Sequence, residues 1–219
     1  MSTTCAIVGE PGSGKTTSIE RLDPASTYLI NSDEKDPPLK GWKKKYNSTN
    51  RNYKEEVDPD RILELLRVIN TDAKHIKVAI VDTVNAVMVD QEMIHSLKKG
   101  FEKWSKLAKS IYDLIKESNR MREDLIIVFM FHSETFRNES GVMFKRILAI
   151  GKKLEKIKIE SKFTTVLFST VEGDPGSPEY YFETKANNST GKSPKGMFDD
   201  FLIPNDLKYV VEKIKIYEQ

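Results

Sequence analysis

The chain has 219 residues, 38% hydrophobic and 31% charged, and a chain this long buries roughly 70% of its unfolded surface, so we expect a single domain over residues 1–219. Its 35 basic and 33 acidic residues give a net charge of +2, which excludes a histone-like or strongly acidic protein, and its single cysteine, Cys5, excludes an internal disulfide or a thiolate metal cluster. No apolar run is long enough to span a membrane and the N-terminus lacks the pattern of a signal peptide, so the expected compartment is a reducing cytoplasm.

Five short apolar runs, rich in β-branched residues and flanked by turn residues, predict buried strands. Their apolar residues are contiguous rather than alternating, which is typical of parallel strands that are covered on both faces. The predicted strands are residues 4–8, 27–31, 78–81, 125–131 and 164–168.

Apolar residues at helical spacing lie between these strands and predict three amphipathic helices. The first has its apolar stripe within residues 62–69 and an N-cap at Asp58. The second covers residues 101–118, and the third follows a cap at Asn205 or Asp206. Because strands alternate with helices, the sequence predicts an α/β fold with a mainly parallel central sheet flanked by helices.

Residues 9–16 satisfy the pattern G-x-x-x-x-G-K-[ST], with a predicted strand directly before them and residues that can open a helix directly after them. The glycines let backbone N–H groups approach phosphate oxygens, and the N-terminus of a helix adds partial positive charge. Lys15 is expected to act in catalysis by reaching the β- and γ-phosphates of ATP, and the Thr16 hydroxyl is expected to bind Mg²⁺. The predicted ATP-binding residues are Gly9, Glu10, Pro11, Gly12, Ser13, Gly14, Lys15, Thr16 and Thr17.

The predicted strand 78–81 is followed by Asp82 and Thr83. An acid at the carboxyl end of a parallel strand faces the crevice in which ligands bind, so Asp82 is expected to hold Mg²⁺ with Thr16. Many ATPases place a water-activating glutamate directly after this aspartate, and this chain has Thr83 there instead.

The water-activating acid is therefore expected after the strand that precedes Asp82 in sequence, where the chain reads Asn31-Ser32-Asp33-Glu34. A carboxylate at this strand end can orient and deprotonate the attacking water. Glu34 is the first choice and Asp33 the second, because the pattern does not fix the end of the strand to one residue.

A polar triplet, His132-Ser133-Glu134, follows the most apolar of the predicted strands. If that strand lies between the strand before the phosphate loop and the strand before Asp82, His132 contacts the γ-phosphate or the attacking water. We therefore predict that His132 reports the nucleotide state to a loop that follows it.

Several segments together carry a family resemblance. They are residues 9–16, 78–82, 103–104, 129–134, 151–154 and 183–198, and the last includes Lys-Ser-Pro-Lys-Gly-Met-Phe at 192–198. In these segments, which span nearly the whole chain, the protein resembles the core-only RecA-like ATPases of bacteriophages, a family of nucleotide-binding proteins and single-strand-annealing recombinases.

The resemblance implies a RecA-like P-loop NTPase fold in which the His132 strand sits between the other two core strands. It also implies a catalytic acid after the second strand, in agreement with Asp33 or Glu34. RecA relatives supply lysines in trans to the γ-phosphate of the neighbouring subunit. The segment of this chain that contains Lys192 and Lys195 is similar in character to the segment that carries those lysines. ATP at the subunit interfaces of a homo-oligomer is thus implied.

Two segments combine cations with aromatic rings, which is the composition that binds single-stranded nucleic acid. One follows His132, where RecA relatives carry a DNA-binding loop, and its candidates are Arg137, Lys145, Arg146, Phe136 and Phe144. The other has Trp42, Tyr46 and Tyr53 among its basic residues, and its candidates are Lys43, Lys44 and Lys45.

These observations predict a Mg²⁺-dependent, DNA-stimulated ATPase that acts on single-stranded DNA in phage recombination or annealing, within the cytoplasm of a host cell. The alternative is a nucleotide-gated interaction module with little hydrolysis, which loads or regulates a phage replication or packaging partner. A single-strand-binding or replication protein is the expected protein partner in either case.

Overall fold

The computed structural model describes residues 1–94, 102–137 and 141–218, so Phe101 of the predicted second helix lies outside the described residues. Within these ranges the strands are β1 (Thr3–Gly9), β2 (Thr27–Asn31), β3 (Tyr53–Glu55), β4 (Val78–Asp82), β5 (Ile126–Arg137), β6 (Met143–Ile147), β7 (Thr165–Glu172), β8 (Glu179–Glu183) and β9 (Leu202–Pro204). The α-helices there are α1 (Trp42–Lys45), α2 (Pro59–Thr71), α3 (Val84–Ile94), α4 (Glu102–Ser118), α5 (Lys152–Ile157) and α6 (Leu207–Tyr217).

The described strands form one sheet in the order β3-β2-β4-β5-β1-β7-β8-β9, with β6 paired to β5. The six strands from β3 to β7 in this order are parallel, and β8 and β9 continue the sheet antiparallel. The predicted mainly parallel sheet is confirmed. Strand β5 lies between β1 and β4, which is the RecA-like order that the family resemblance implies.

Both faces of the sheet are covered, which explains why its strands are apolar without alternation. In β1, Ala6 and Val8 pack in the core cluster that contains residues of α2, α3 and α4. Their neighbours Cys5 and Ile7 pack on the opposite face, in the cluster that contains α6. All of these side chains are completely buried, so each strand contributes to two cores at once.

The predicted helix caps are present at two helices. The Asp58 carboxylate accepts hydrogen bonds from the backbone N–H groups of Asp60 (2.9 Å) and Arg61 (3.2 Å) at the start of α2. At α6 the cap is Asp206, which accepts from the Lys208 N–H at 2.9 Å, rather than Asn205. Such a cap satisfies a backbone donor that the first helical turn leaves unpaired.

The helix expected after the phosphate loop is a single 3₁₀ turn, Thr16–Ile19. Pro24 follows closely and disfavours a helical backbone at Asp23, so the chain turns toward β2 instead of continuing the helix. A one-turn helix has little macrodipole. The helix-dipole contribution to phosphate binding that was expected from the sequence is therefore small.

Strand β5 is longer than its predicted bounds of 125–131, since it continues to Arg137 and pairs antiparallel with β6 from Ser133 opposite Ile147 to Arg137 opposite Met143. The segment after His132 was predicted as a loop, and that prediction was wrong. Its β-branched and aromatic residues favour a strand. The candidate DNA-binding residues of this region consequently stand on two antiparallel strands, defined here as the β5–β6 hairpin (residues 133–137 and 143–147).

Candidate nucleotide-binding site

A cavity of about 470 Å³ opens at the carboxyl ends of the central strands. We call it the P-loop cavity. It is lined by Pro11, Gly12, Gly14, Lys15, Thr16, Thr17, Asp33, Lys35, Pro38, Thr83, His132 and Tyr180. Most of the predicted nucleotide-site residues thus converge on one cavity, although they come from three separate parts of the chain, the phosphate loop, Asp33 and His132.

Lys15 is buried at the base of the P-loop cavity. Its ammonium donates hydrogen bonds to the carbonyls of Gly9 (2.8 Å) and Glu10 (3.0 Å) and lies 3.4 Å from Nδ1 of His132. Burial lowers the pKa of Lys15, while the nearby Asp82 opposes that shift. Phosphate oxygens are stronger acceptors than loop carbonyls for such a cation, so the side chain is placed to exchange these carbonyls for an anionic ligand.

Two features of the phosphate loop require glycine. Gly12 and Gly14 have φ values of +82° and +92°, which residues other than glycine rarely adopt. A Cβ on Gly14 would also lie 2.9 Å from Cδ1 of Tyr180. The ring of Tyr180 therefore packs directly on the backbone of the phosphate loop.

Thr16 and Asp82 form the expected pair at the end of β4. The Thr16 hydroxyl donates to Oδ2 of Asp82 at 2.6 Å, and Oδ1 of Asp82 is buried without a hydrogen-bond partner. Burial raises the pKa of Asp82 to about 6, while the hydrogen bond from Thr16 acts in the opposite direction. An unpartnered buried carboxylate oxygen beside a hydroxyl is an oxygen donor set of the kind that Mg²⁺ binds, so these residues fit the ion.

Asp33, rather than Glu34, faces the P-loop cavity. The Asp33 carboxylate accepts from the Thr83 hydroxyl at 2.8 Å and lies 2.6 Å from Nζ of Lys35. Burial opposes ionisation of Asp33, but the hydrogen bonds from Lys35 and Thr83 outweigh it, and the pKa is lowered. Glu34 has a φ of +52°, is exposed and does not line the cavity. The structure therefore reverses the order of preference between these two acids.

The main chain of His132 is hydrogen-bonded to Asn85 through its N–H group and to the Leu148 N–H through its carbonyl. Its backbone N–H donates to Oδ1 of Asn85 at 2.7 Å, and Nδ2 of Asn85 donates to the carbonyl of Leu148 at 2.8 Å. Burial and the charge of Lys15 lower the pKa of the imidazole. The next residue, Ser133, donates to the carboxylate of Glu10 at 3.0 Å, which joins the phosphate loop to the first residue of the β5–β6 hairpin.

Sequence reasoning gave no role to four residues that line the P-loop cavity, namely Lys35, Pro38, Thr83 and Tyr180, and it also missed Asn85, which contacts His132. Tyr180 belongs to a short strand-like piece in a long polar segment, and only its aromatic character could have singled it out. Lys35 follows the acidic pair directly and could have been found as a cation at the same strand end. Asn85 has no sequence signal that separates it from any other helical polar residue.

The structure does not bring Lys192 and Lys195 to the P-loop cavity of their own chain. Lys192 lines a separate cavity of about 480 Å³, and its backbone exchanges hydrogen bonds with Val166 at 2.8 and 2.9 Å. Burial lowers the pKa of Lys192. Lys195 is exposed. Their predicted action on a neighbouring subunit stays a prediction.

The β5–β6 hairpin brings its candidate residues together. The rings of Phe136 and Phe144 meet edge to face with centroids 5.6 Å apart, and the Arg146 guanidinium lies 4.6 Å from the centre of the Phe136 ring. Arg146 already forms a salt bridge with Glu134 (2.6 Å), and Lys145 forms one with Glu183 (3.6 Å). The remaining candidate, Arg137, is exposed.

The second basic segment has fewer available rings than the sequence suggested. Trp42 and Tyr53 pack with ring centroids 5.3 Å apart, and Lys43 lies 5.5 Å from the Trp42 ring centre and 3.2 Å from the Asp36 carboxylate. Tyr46 is buried in the core, so it is not a stacking surface. The other candidates on α1 are Lys44, which is exposed, and Lys45, which is half-buried.

The glycine-rich loop after β1, its buried lysine and the Thr16–Asp82 pair define a P-loop NTPase. The chain belongs to the family of AAA domains, whose pattern it matches over residues 1–193. Among solved structures it is similar to a KaiC-like protein from the hyperthermophilic archaeon Pyrococcus horikoshii, with a TM-score of 0.49 and 12% sequence identity, over 82% of this chain and 76% of that one. No curated protein matches the sequence. In the described residues, no helix is both long and apolar enough to cross a membrane.

Proposed function

We propose that this protein binds ATP with Mg²⁺ in the P-loop cavity and hydrolyses it. The observation that carries the proposal is the convergence of Lys15, the Thr16–Asp82 pair, Asp33 and His132 on that one cavity. A buried cation, an orphaned carboxylate oxygen and a second acid are the parts that phosphoryl transfer to water requires.

The reaction needs a positioned water and stabilisation of the charge on the γ-phosphoryl group. Asp33 orients the water and accepts its proton while the water oxygen bonds to the γ-phosphorus. The bond from that phosphorus to the bridging oxygen breaks, and its electron pair stays with ADP. Lys15 holds the β- and γ-phosphates, and Thr16 and Asp82 hold Mg²⁺, which when bound neutralises charge on the phosphate oxygens.

The position of these residues also orients the nucleotide along the sheet. Asp33 follows β2, Asp82 ends β4 and His132 lies within β5. These three strands are on one side of β1, whereas Tyr180 stands on β8, on the other side. The γ-phosphate therefore points toward β4 and the base toward β8. In this orientation the Tyr180 ring is the surface on which the base stacks.

We further propose, on the family resemblance, that the protein acts on single-stranded DNA in phage recombination or annealing, as a homo-oligomer with ATP between subunits. The β5–β6 hairpin supports this part, because a ring pair beside exposed Arg137 suits base stacking and phosphate contact. Glu10 and Ser133 offer a direct link from the nucleotide to this hairpin. Lys192 and Lys195 are the residues proposed to reach a neighbouring active site.

The test is phosphate release from ATP by the full chain, with and without Mg²⁺ and with and without an oligonucleotide of single-stranded DNA. We expect Mg²⁺-dependent turnover that the oligonucleotide stimulates and that Lys15→Ala abolishes. Turnover of the Lys15→Ala protein at the parent rate would show that the site is wrongly assigned. Mg²⁺-dependent turnover without any effect of DNA would remove the DNA part alone.

One observation favours a second candidate function, the nucleotide-gated interaction module. Asp33 is held by both Lys35 and Thr83, so the acid that should activate water is already engaged by side chains of its own chain. If this arrangement persists with ATP bound, hydrolysis is slow and nucleotide binding itself is the signal. ATP-dependent binding of a partner without DNA-stimulated turnover would favour this module over the ATPase.

A further inference from the structure

Lys35 is a cation of the P-loop cavity that neither the sequence motifs nor the family resemblance assigned. It lines the same cavity as Lys15, and its position is fixed by its backbone. The Asn31 side chain donates to the Lys35 carbonyl at 2.8 Å, and the backbone N–H groups of Ser32 and Asp33 both contact the carbonyl of Asp82. The segment that carries Lys35 is thus tied to the end of β4, where the γ-phosphate is proposed to lie.

The side chain of Lys35 is charged and able to move. Its ammonium lies 2.6 Å from the Asp33 carboxylate, and its side chain is 67% exposed, whereas that of Asp33 is 12% exposed. The bond to Asp33 raises the pKa of Lys35, and the charge of Asp82 acts in the same direction. A lysine ammonium at the end of a flexible four-carbon chain can leave one anionic partner for another.

We propose that Lys35 is a catalytic cation supplied in cis, whose ammonium leaves Asp33 for an oxygen of the γ-phosphoryl group when ATP binds. The inference rests on the proposed function and deepens it. It names the cation that completes the site within one chain, in addition to the lysines expected from a neighbouring subunit.

The exchange has two consequences for the hydrolysis step. The ammonium stays protonated and offsets the negative charge on the γ-phosphoryl oxygens as the bond to the bridging oxygen breaks toward ADP. The Asp33 carboxylate, released from its ion pair, becomes free to hold the attacking water. ADP has no γ-phosphate, so after phosphate leaves, Lys35 returns to Asp33 and the acid is engaged again.

The first measurement compares Lys35→Ala and Lys35→Arg with the parent for phosphate release, and for binding of ADP and of the non-hydrolysable β,γ-imido analogue of ATP. We expect Lys35→Ala to lower kcat about 10²-fold and to weaken the analogue by about tenfold while ADP binding is unchanged. Lys35→Arg keeps the preference for the analogue over ADP. Lys74→Ala, at an exposed lysine before β4, is the matched control and behaves as the parent.

The second measurement mixes Lys35→Ala with Lys15→Ala, whose intact Lys35 is available to a neighbouring chain. Because Lys35 acts in cis, the mixture should regain no turnover. Recovery in the mixture, parental turnover of Lys35→Ala, or equal weakening of ADP and the analogue would each overturn the proposal. A parent protein that binds neither nucleotide would overturn the proposed function as well, so the two failures are distinct.

Discussion

The Thr16 hydroxyl donates a 2.6 Å hydrogen bond to Oδ2 of Asp82, and this bond leaves Oδ1 of the same carboxylate buried with no partner. A buried carboxylate oxygen without a hydrogen bond is costly, because it has lost water and gained nothing in return. Such a cost persists in proteins where binding of a ligand relieves it. We therefore expect the pair to bind a cation, and the energetics of the pair can be tested without measuring turnover.

The first prediction is that Asp82→Asn stabilises the ligand-free protein. Burial raises the pKa of Asp82 from 3.8 to about 6, so above pH 6 the folded state pays for an ionised group that the unfolded chain solvates. Removing the charge should raise the free energy of unfolding by roughly 2–3 kcal/mol at pH 8. The gain shrinks as the pH falls through 6 and is absent below about pH 4, where both states are protonated. Urea titrations across this pH range measure it.

With Mg²⁺ and ATP present, we expect the parent protein to become more stable than the Asp82→Asn variant. The parent gains stability on addition of Mg²⁺ and ATP, because both bind the folded state, whereas Asp82→Asn gains much less. Removal of Mg²⁺ with a chelator should return the parent to its lower value. An equal Mg²⁺-dependent gain in the two proteins would exclude Asp82 as a ligand of the ion.

The second prediction separates the two acids after β2. Asp33→Asn should lower turnover about 10²- to 10⁴-fold, the usual contribution of a general base, with a small change in ATP affinity. Glu34→Gln should retain most of the parent activity, because Glu34 is exposed and outside the P-loop cavity. Steady-state phosphate release measures both. The reverse result, with Glu34→Gln inactive and Asp33→Asn active, would restore the order expected from the sequence.

The choice between Asp33 and Glu34 shows where sequence reasoning reaches its limit. The burial of the central strands on both faces and the Thr16–Asp82 pair follow from local patterns, because each depends on a short run of residues in a regular element. The order of those strands came from the family resemblance instead. Which of two adjacent acids faces a cavity depends on the backbone torsion of one turn residue, the +52° φ of Glu34. The spacing of hydrophobic residues in the sequence gives no information about the torsion of a single turn residue.

Tyr180 and the β5–β6 hairpin illustrate a second limit. Tyr180 reaches the phosphate loop only because β8 joins the sheet beside β7, at a distance of more than 160 residues along the chain from Gly14. The hairpin was predicted as a loop because the RecA relatives carry a DNA-binding loop after the corresponding strand. In both cases the decisive contact is made by tertiary pairing, which local patterns do not contain.

The third prediction concerns Asn85, which is buried and holds the backbone of His132 and of Leu148. Asn85→Ala removes two partly buried hydrogen bonds, at a cost of about 1–3 kcal/mol in the free energy of unfolding. Since His132 loses its support, we also expect weaker coupling between nucleotide and DNA. Urea titration measures the first effect, and DNA stimulation of turnover measures the second. A loss of stability with unchanged stimulation would limit Asn85 to a structural role.

The fourth prediction assigns Tyr180 to the base of the nucleotide. Tyr180→Ala should weaken ATP about tenfold, because stacking on an aromatic ring contributes about 1–3 kcal/mol per base. Tyr180→Phe keeps the ring and should bind as the parent does. Inorganic tripolyphosphate, which has no base, is the control ligand, and its affinity should be the same for all three proteins. Equal weakening of ATP and tripolyphosphate by Tyr180→Ala would place the ring over the phosphates instead.

The last prediction tests the β5–β6 hairpin as a surface for single-stranded DNA. Phe136→Ala removes one ring of the Phe136–Phe144 pair and the support of the Arg146 guanidinium. It should weaken an oligonucleotide by about 1–3 kcal/mol with little change in the dependence on salt, since stacking releases no counterions. Fluorescence anisotropy at several salt concentrations measures both quantities.

Arg137→Ala supplies the contrasting electrostatic case on the same hairpin. Loss of one phosphate contact should lower the salt slope of binding by about 0.7, the value per phosphate for single strands. Met143→Ala, at an exposed residue opposite Arg137, removes neither ring nor charge and serves as the control. If all three variants bind the oligonucleotide as the parent does, with thermal unfolding unchanged, the hairpin is not a DNA surface. Because Ser133 links this hairpin to Glu10 of the phosphate loop, a positive result in the presence of ATP should weaken when ATP is replaced by ADP.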